Sequence, residues 1–301
     1  MSMPPVPPAP LPPDALILAN GSIPPVAFEE RVAAAAGAGF DAIGLSVWEY
    51  DRLRAEGYDG NRLRTALDRY GMRVAELEVV LGFAATGPDR LRQPLPGLDY
   101  TDRDTEARFF EMATLFGARH LQAVGTFNSE QLEDQAVDAF AALCDRAAAY
   151  GLLVALEFVP GTNIPDAGTA TEIVTAAGRS NGGLCVDSWH HFRGHNDDRL
   201  LRAIPPEKVF MIQLDDGAAH PIDPDYVADT VLHRLPPGDG DFDLPGFLTV
   251  LWSHGVQAPL SIEVLSAEMA QQPPAETAHA LAKATRNVVT AARQSGNGPT
   301  S

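Results

Sequence analysis

The sequence predicts an α/β protein built as one (β/α)8 barrel, and three observations carry that expectation. From residue 15 onward, short apolar runs alternate with longer amphipathic helical patterns. Apolar or β-branched runs that each precede a helix imply parallel strands joined by crossover helices. The unit recurs eight times, over roughly 285 residues, the size of such a barrel. An open doubly wound sheet is the alternative. It usually carries a glycine-rich turn after its first strand, and "LANGSIPP" holds no G-x-G-x-x-G.

The units follow in order. "ALILAN" precedes the helical "AFEERVAAAAGAG", "FDAIGLSVW" precedes "GNRLRTALDRYG", and "RVAELEVVLG" precedes "DTEARFFEMATLFG" across a long insert at residues 81–100. "ARHLQAVG" leads to "SEQLEDQAVDAFAALCDRAAAYG", with Ser129 as a candidate N-cap and Gly151 as a stop. "LLVALEFVP" leads to "DAGTATEIVTAAG", and "GGLCVDSW" leads to "NDDRLLRAI". "KVFMIQLDD" leads to "LPGFLTVLWSHG", and "APLSIEVLS" to "AETAHALAKATRNVVTAARQ". No linker or change of composition divides residues 15–295, so they form one domain between a Pro-rich tail (1–14) and a short C-terminal tail (296–301).

Composition narrows the partners. The formal net charge of −18 and the lack of any Lys/Arg run disfavour nucleic acid and anionic membranes, leaving a small molecule as the expected partner. No apolar run approaches the ~20 residues needed to span a bilayer. The start, "MSMPPVPPAPLPPD", lacks the basic stretch and apolar core of a signal peptide. Cys144 and Cys185 fall on apolar patterns and read as small buried hydrophobes. A reducing cytoplasm suits that usage.

In a barrel of this kind the active site forms at the C-terminal ends of the strands. There the last four strands carry Glu157, Asp187, Gln213 and Glu263. Leu156-Glu157-Phe158 and Ile262-Glu263-Val264 set carboxylates among apolar neighbours, a costly arrangement unless a cation compensates. Three carboxylates and an amide oxygen form a hard oxygen set suited to Mg²⁺ or Mn²⁺, with Co²⁺ and Zn²⁺ as compatible alternatives. Taken singly, each residue also fits a plainer role: a glutamate paired with a buried arginine, or a glutamine that packs or caps.

These residues carry a resemblance. "ALEFVP", "CVDSWH", "MIQLDD", "HRLPPGDGDFDLPGF" and "SIEV" resemble the xylose-isomerase-like barrel superfamily. It holds sugar (phosphate) isomerases and epimerases, keto-inositol dehydratases and 3-dehydroshikimate dehydratases. The resemblance covers strands five to eight well and the first half by architecture alone. It implies that Glu157, Asp187, Gln213 and Glu263 hold one divalent cation. The third ligand is commonly histidine in the sugar epimerases, and glutamine there is similar to some 3-dehydroshikimate dehydratases. The resemblance also implies that His190 contacts substrate oxygens, and that Arg234 grips a substrate carboxylate, phosphate or hydroxyl. Replacing Arg234 would then mainly raise KM. The plain readings are a packing or loop histidine and a surface arginine. His191, His195, His220 and His233 are expected outside the site, and Trp189 is expected to pack.

The chemistry that follows is enolate formation from a polyhydroxy ketone, stabilised by the cation. If Glu157 and Glu263 flank one carbon, removal and return of a proton gives isomerisation or epimerisation. If a β-hydroxyl leaves with a proton from His190, the product is an unsaturated ketone. A non-catalytic sugar-binding or accessory barrel is the rival class. An apurinic-endonuclease role is disfavoured, because Glu49, Glu76, Glu78 and Gln122 occupy the early strands without an internal histidine, and His120 starts its strand at the far end of the barrel. Those four residues are candidate pocket walls. Barrels of this family often pair or form tetramers, so a homo-oligomer fits the resemblance.

Overall fold

The computed structural model describes residues 11–84, 105–127, 132 and 134–296. Eight parallel strands close into a barrel in sequence order: β1 (Leu16–Leu18), β2 (Ala42–Ser46), β3 (Val74–Leu81), β4 (His120–Val124), β5 (Leu153–Glu157), β6 (Gly182–Asp187), β7 (Val209–Leu214) and β8 (Leu260–Ile262). β1 pairs with β8 through Leu16, Ile17 and Leu18, which completes the ring. Nearly every strand residue is buried, as expected where helices cover the outside and side chains fill the inside.

The helices are α1 (Phe28–Ala38), α2 (Val47–Ala55), α3 (Gly60–Tyr70), α4 (Thr105–Phe116), α5 (Ala136–Ala148), α6 (Ala167–Ala177), α7 (Ser188–Arg193), α8 (Asp198–Ala203), α9 (Tyr226–Leu232), α10 (Leu244–Ser253) and α11 (Pro274–Gly296). Asp59 and Asp166 cap α3 and α6 by accepting from Arg62 N and Thr169 N. The eight expected strand–helix units are all present. Three helices were not expected: α2, α7 and α9 sit on loops at the C-terminal ends of β2, β6 and β7. α5 stops at Ala148, and Gly151 takes a positive φ of 72° before β5. The proposed Ser129 cap and most of the insert lie outside the described residues, whereas Leu81 itself ends β3.

Along each strand alternate side chains enter the barrel. The register Cys185↔Met211 and Asp187↔Gln213 therefore stacks two layers on neighbouring strands. Ala155, Cys185 and Met211 cluster in the lower one. His120 enters beside them, with Nε2 2.8 Å from Met211 Sδ, away from the mouth as its strand position implies. The next inward positions carry Glu157, Asp187 and Gln213, and these face the mouth. Among the described residues no helix is long and apolar enough to cross a membrane.

Candidate metal centre at the barrel mouth

Each candidate residue reaches the mouth because a strand ends there. Glu157 and Asp187 are the last residues of β5 and β6. Gln213 is one residue from the end of β7, and Glu263 follows β8 two residues after Ser261, the partner of Gln213. Asp187 and Gln213 are fully buried and Glu157 is 4% exposed.

Asp187 has two tasks. Its Oδ1 accepts from Trp189 N (2.8 Å) and so starts α7. That turn of helix brings His190 back over the strand end, with Nε2 3.5 Å from Asp187 Oδ2 and 3.2 Å from Glu157 Oε1. One ligating atom each from Glu157, Asp187 and His190 lies within 4.8 Å of the others. Glu157 Oε1 is buried and, among the described residues, makes no hydrogen bond. Its Oε2 accepts from Gln122 Nε2 (2.8 Å).

Gln122 continues into a polar floor. The same Nε2 lies 3.2 Å from Gln213 Oε1, and Gln213 Nε2 donates to Glu76 Oε1 (3.2 Å). Ser261 donates to the other Glu76 oxygen at 2.6 Å. This network sets the polarity of the Gln213 amide: nitrogen toward Glu76, oxygen away from it. Cys185 donates to Gln213 Oε1 at 3.1 Å, so it belongs to this polar floor as well as to the apolar layer beneath. Burial pushes the Glu76 carboxyl well above its usual range, and nearby Glu78 adds to the effect.

Arg234 is placed differently from a residue that reaches outward. An antiparallel bridge, His233↔Ser266, holds the chain extended, and Arg234 N donates to Leu265 O. The guanidinium is buried among acids. Nη1 donates to Asp187 Oδ2 (3.1 Å), to Glu263 Oε2 (3.1 Å) and to Asp215 Oδ2, while Nε donates to Thr230 O (3.0 Å). Burial would depress its pKa, but Asp215, Asp187 and Glu263 together raise it. Burial drives the carboxyls of Asp215 and Glu263 up against the opposing pull of Arg234. Arg234 thus holds both Asp187, one of the converging groups, and Glu263, and its side chain also lines the cavity.

The cavity holds 360 Å³, with Glu157, His190, Arg234 and Glu263 on one wall and Asn20, Trp48 and Glu78 among the others. Gln122 and Glu78 line it as expected, whereas Glu49 does not. Glu49 turns outward into an ion pair with Arg52 (2.7 Å), because it lies on α2 rather than on a strand. Glu76 lies under the floor. His191 faces away, against Phe247 and 3.4 Å from Asp198, as expected. Helical rotation in α7 turns it away from the side that His190 takes. Trp189 is fully buried and donates to Thr230.

Two further residues join the site. Tyr226, at the start of α9, bonds through its hydroxyl to His190 Nδ1 and lines the cavity. Asp215 anchors Arg234 and accepts from Ser188 Oγ (2.8 Å). The signal for Asp215 was present, since it lies two residues beyond Gln213 and so points inward as well. Tyr226 gave none, because its loop has no period.

A sequence model of the family described as Xylose isomerase-like TIM barrel matches residues 32–287. The chain is 28% identical over 256 residues to the 3-dehydroshikimate dehydratase of Pseudomonas aeruginosa, covering 84% of this chain and 37% of that protein. It is 33% identical over 163 residues to the inosose isomerase of Bacillus subtilis, covering 53% of this chain and 57% of that one. It therefore spans well under two thirds of the length of either relative. The IolI protein with a bound zinc atom superposes with a TM-score of 0.79 at 21% identity, over 92% of this chain and 98% of that one. A D-allulose 3-epimerase from Methylomonas sp. superposes with a TM-score of 0.68 at 17% identity, over 93% and 97%. With the family match running through most of a closed eight-stranded ring, the chain belongs to the xylose isomerase-like TIM barrel family.

Proposed function

We propose that this barrel is a divalent-cation-dependent lyase that removes water from a polyhydroxy ketone. One observation carries the reading: Glu157 Oε1, Asp187 Oδ2 and His190 Nε2 converge in a buried mouth, and the Glu157 oxygen has no hydrogen-bond donor. A buried carboxylate oxygen without a donor is costly unless a cation takes that place. The donor set therefore fits a hard cation. Glu157, Asp187 and Glu263 would hold it with Gln213, whose nitrogen is committed to Glu76 and whose oxygen would exchange its contacts with Gln122 and Cys185 for the ion. Mn²⁺ or Mg²⁺ suits such oxygens, with Zn²⁺ and Co²⁺ as alternatives. When bound, the ion would polarise a ketone oxygen and acidify the adjacent C–H.

The residues do the rest. Glu157 or Glu263 takes the proton from that carbon. His190 bonds the Tyr226 hydroxyl through Nδ1 and sets Nε2 beside the carboxylates, which equips it to hand a proton to a departing hydroxyl. Arg234 offsets negative charge accumulating at the mouth. Dehydration is preferred over isomerisation because Gln213 resembles the third ligand of some dehydratases, and because the dehydratase match covers most of this chain. The local match to an inosose isomerase keeps proton return as the second reading. A neutral or weakly anionic ketone partner suits the acidic surface.

The test is to load the protein with Mn²⁺ by equilibrium dialysis and supply 3-dehydroshikimate, a keto-inositol and simple ketoses in D₂O. New enone absorbance is expected on one of them. Deuterium uptake without loss of water would select the isomerase. Retention of no metal, together with neither signal, would overturn the proposal.

A further inference from the structure

The cavity carries a second set of polar groups that the chemistry above does not use. Glu78 is 7% exposed and lines the cavity. One carboxylate oxygen, Oε1, accepts from the backbone N–H of Asn20 (2.8 Å). Among the described residues the other makes no hydrogen bond. The nearest buried cation does not neutralise it by contact. Arg31 spends its hydrogen bonds on Asn20 O (2.8 Å) and Ile23 O (3.0 Å), and its closest carboxylate is Glu49 at 4.0 Å. Asn20 Oδ1 is also buried without a partner, and Asn20 lines the same wall.

The backbone has made room for this arrangement. Gly44 lies beneath the carboxylate, where a Cβ would come within 2.2 Å of Glu78 Oε1 and 3.1 Å of Asn20 N. A structural salt bridge is therefore a poor account of Glu78. Among the described residues no donor reaches the second Glu78 oxygen, and an acceptor left without one gains when a ligand supplies it.

We propose that Asn20 and Glu78 form a hydroxyl-binding subsite, which takes the neutral, polyhydroxylated end of the bound molecule and rejects a carboxylate or phosphate there. The proposal deepens the polyhydroxy-ketone reading and rests on it for the identity of the reacting end. The chemical ground is polarity: a carboxylate with one unoccupied acceptor oxygen matches hydroxyl donors and opposes anions. Trp48 lines the same wall and offers the ring of a sugar or cyclitol an apolar face. Glu78→Gln keeps the contact with Asn20 N–H but turns the cavity-facing oxygen into an NH₂ donor. Asn20→Ala removes the neighbouring amide and leaves Glu78 in place.

The experiment, run at pH 8 so that Glu78, raised to about 7 by burial, is ionised, titrates myo-inositol and inorganic phosphate into wild type and both variants by calorimetry, each with and without Mn²⁺, alongside Mn²⁺ binding itself. Each variant is expected to weaken myo-inositol binding by about tenfold, the size of one lost charge-assisted hydrogen bond. Phosphate should bind Glu78→Gln at least as tightly as wild type, and Mn²⁺ affinity should stay within about twofold of wild type. Unchanged myo-inositol affinity in both variants overturns the subsite. So does a wild type that binds no myo-inositol, or phosphate that loses affinity with Glu78→Gln. Failure of wild type to bind Mn²⁺ would instead sink the catalytic reading, with the metal-free myo-inositol titration still judging the subsite.

Discussion

At the residue scale the mouth is decided by which carboxylate oxygens already have donors. Glu157 divides its two oxygens: Gln122 holds Oε2, and Oε1 is left open beside His190. Glu157→Gln removes the charge and puts an amide where one oxygen stood. It should lower turnover by at least about 10²-fold and abolish the Mn²⁺-dependent rise in melting temperature that a site-specific ligand gives. Both are read on one protein sample, by initial rates and by thermal melts with and without metal. Arg234 lines the cavity and is also tied to the acids of the site. Its head group is shared by Asp187, Asp215 and Glu263, so Arg234→Ala strands three acids in a buried place. A loss of about 3 kcal/mol in unfolding free energy is expected, measured by denaturant titration. A rise in KM with stability intact would contradict the buried placement.

At the element scale, the strands were legible and the loop helices were not. Parallel strands buried on both faces read as apolar runs, and inward positions repeat every second residue. Glu157, Asp187, Gln213 and Glu263 could therefore be placed at strand ends from spacing alone. α7 could not. "SWHHFR" is only six residues long, too short for a helical period to register, and its formation depends on Asp187 capping it. Glu49 was misplaced for the same reason: α2 begins immediately after β2, where the sequence continues as if the strand did. The long return from β7 to α10 is organised by Asp216, which accepts from Gly217 N (2.8 Å), Gly238 N (2.8 Å) and Phe242 N (3.1 Å). Asp216→Ala removes three acceptor contacts at once and should cost roughly 2 kcal/mol. Hydrogen exchange at those three amides should speed up while β-strand amides stay protected. Uniform exchange across the barrel would show that Asp216 does not act locally.

At the scale of the whole molecule, the interior acids couple folding to pH. Burial raises Glu78 from its ordinary value to about 7. A carboxyl raised in the folded state favours folding while protonated. Its full contribution is present below the unfolded value of about 4.5 and is lost as pH rises to about 7. The metal-free protein should thus lose on the order of 3 kcal/mol across that window through this group. The difference in unfolding free energy between wild type and Glu78→Gln, followed from pH 4 to 8, isolates the effect. A flat difference curve would mean that Glu78 is not held in a raised state. The closed ring itself was foreseeable because eight repeats leave little other choice. The meeting of Glu78 with the acids of the later strands in one cavity was not, since it depends on how the ring closes.

The acid-rich mouth, carried by a chain of formal charge −18, also governs encounters in solution. An anionic molecule drifting toward it meets a repulsive potential well before touching any side chain, whereas an uncharged cyclitol meets none. Stopped-flow capture rates should accordingly climb for 3-dehydroshikimate as ionic strength rises from about 10 to about 200 mM, because the Debye length shortens over that range, and stay level for the uncharged ligand. Equal salt profiles for the two would mean that bulk counter-ions already mask the entrance.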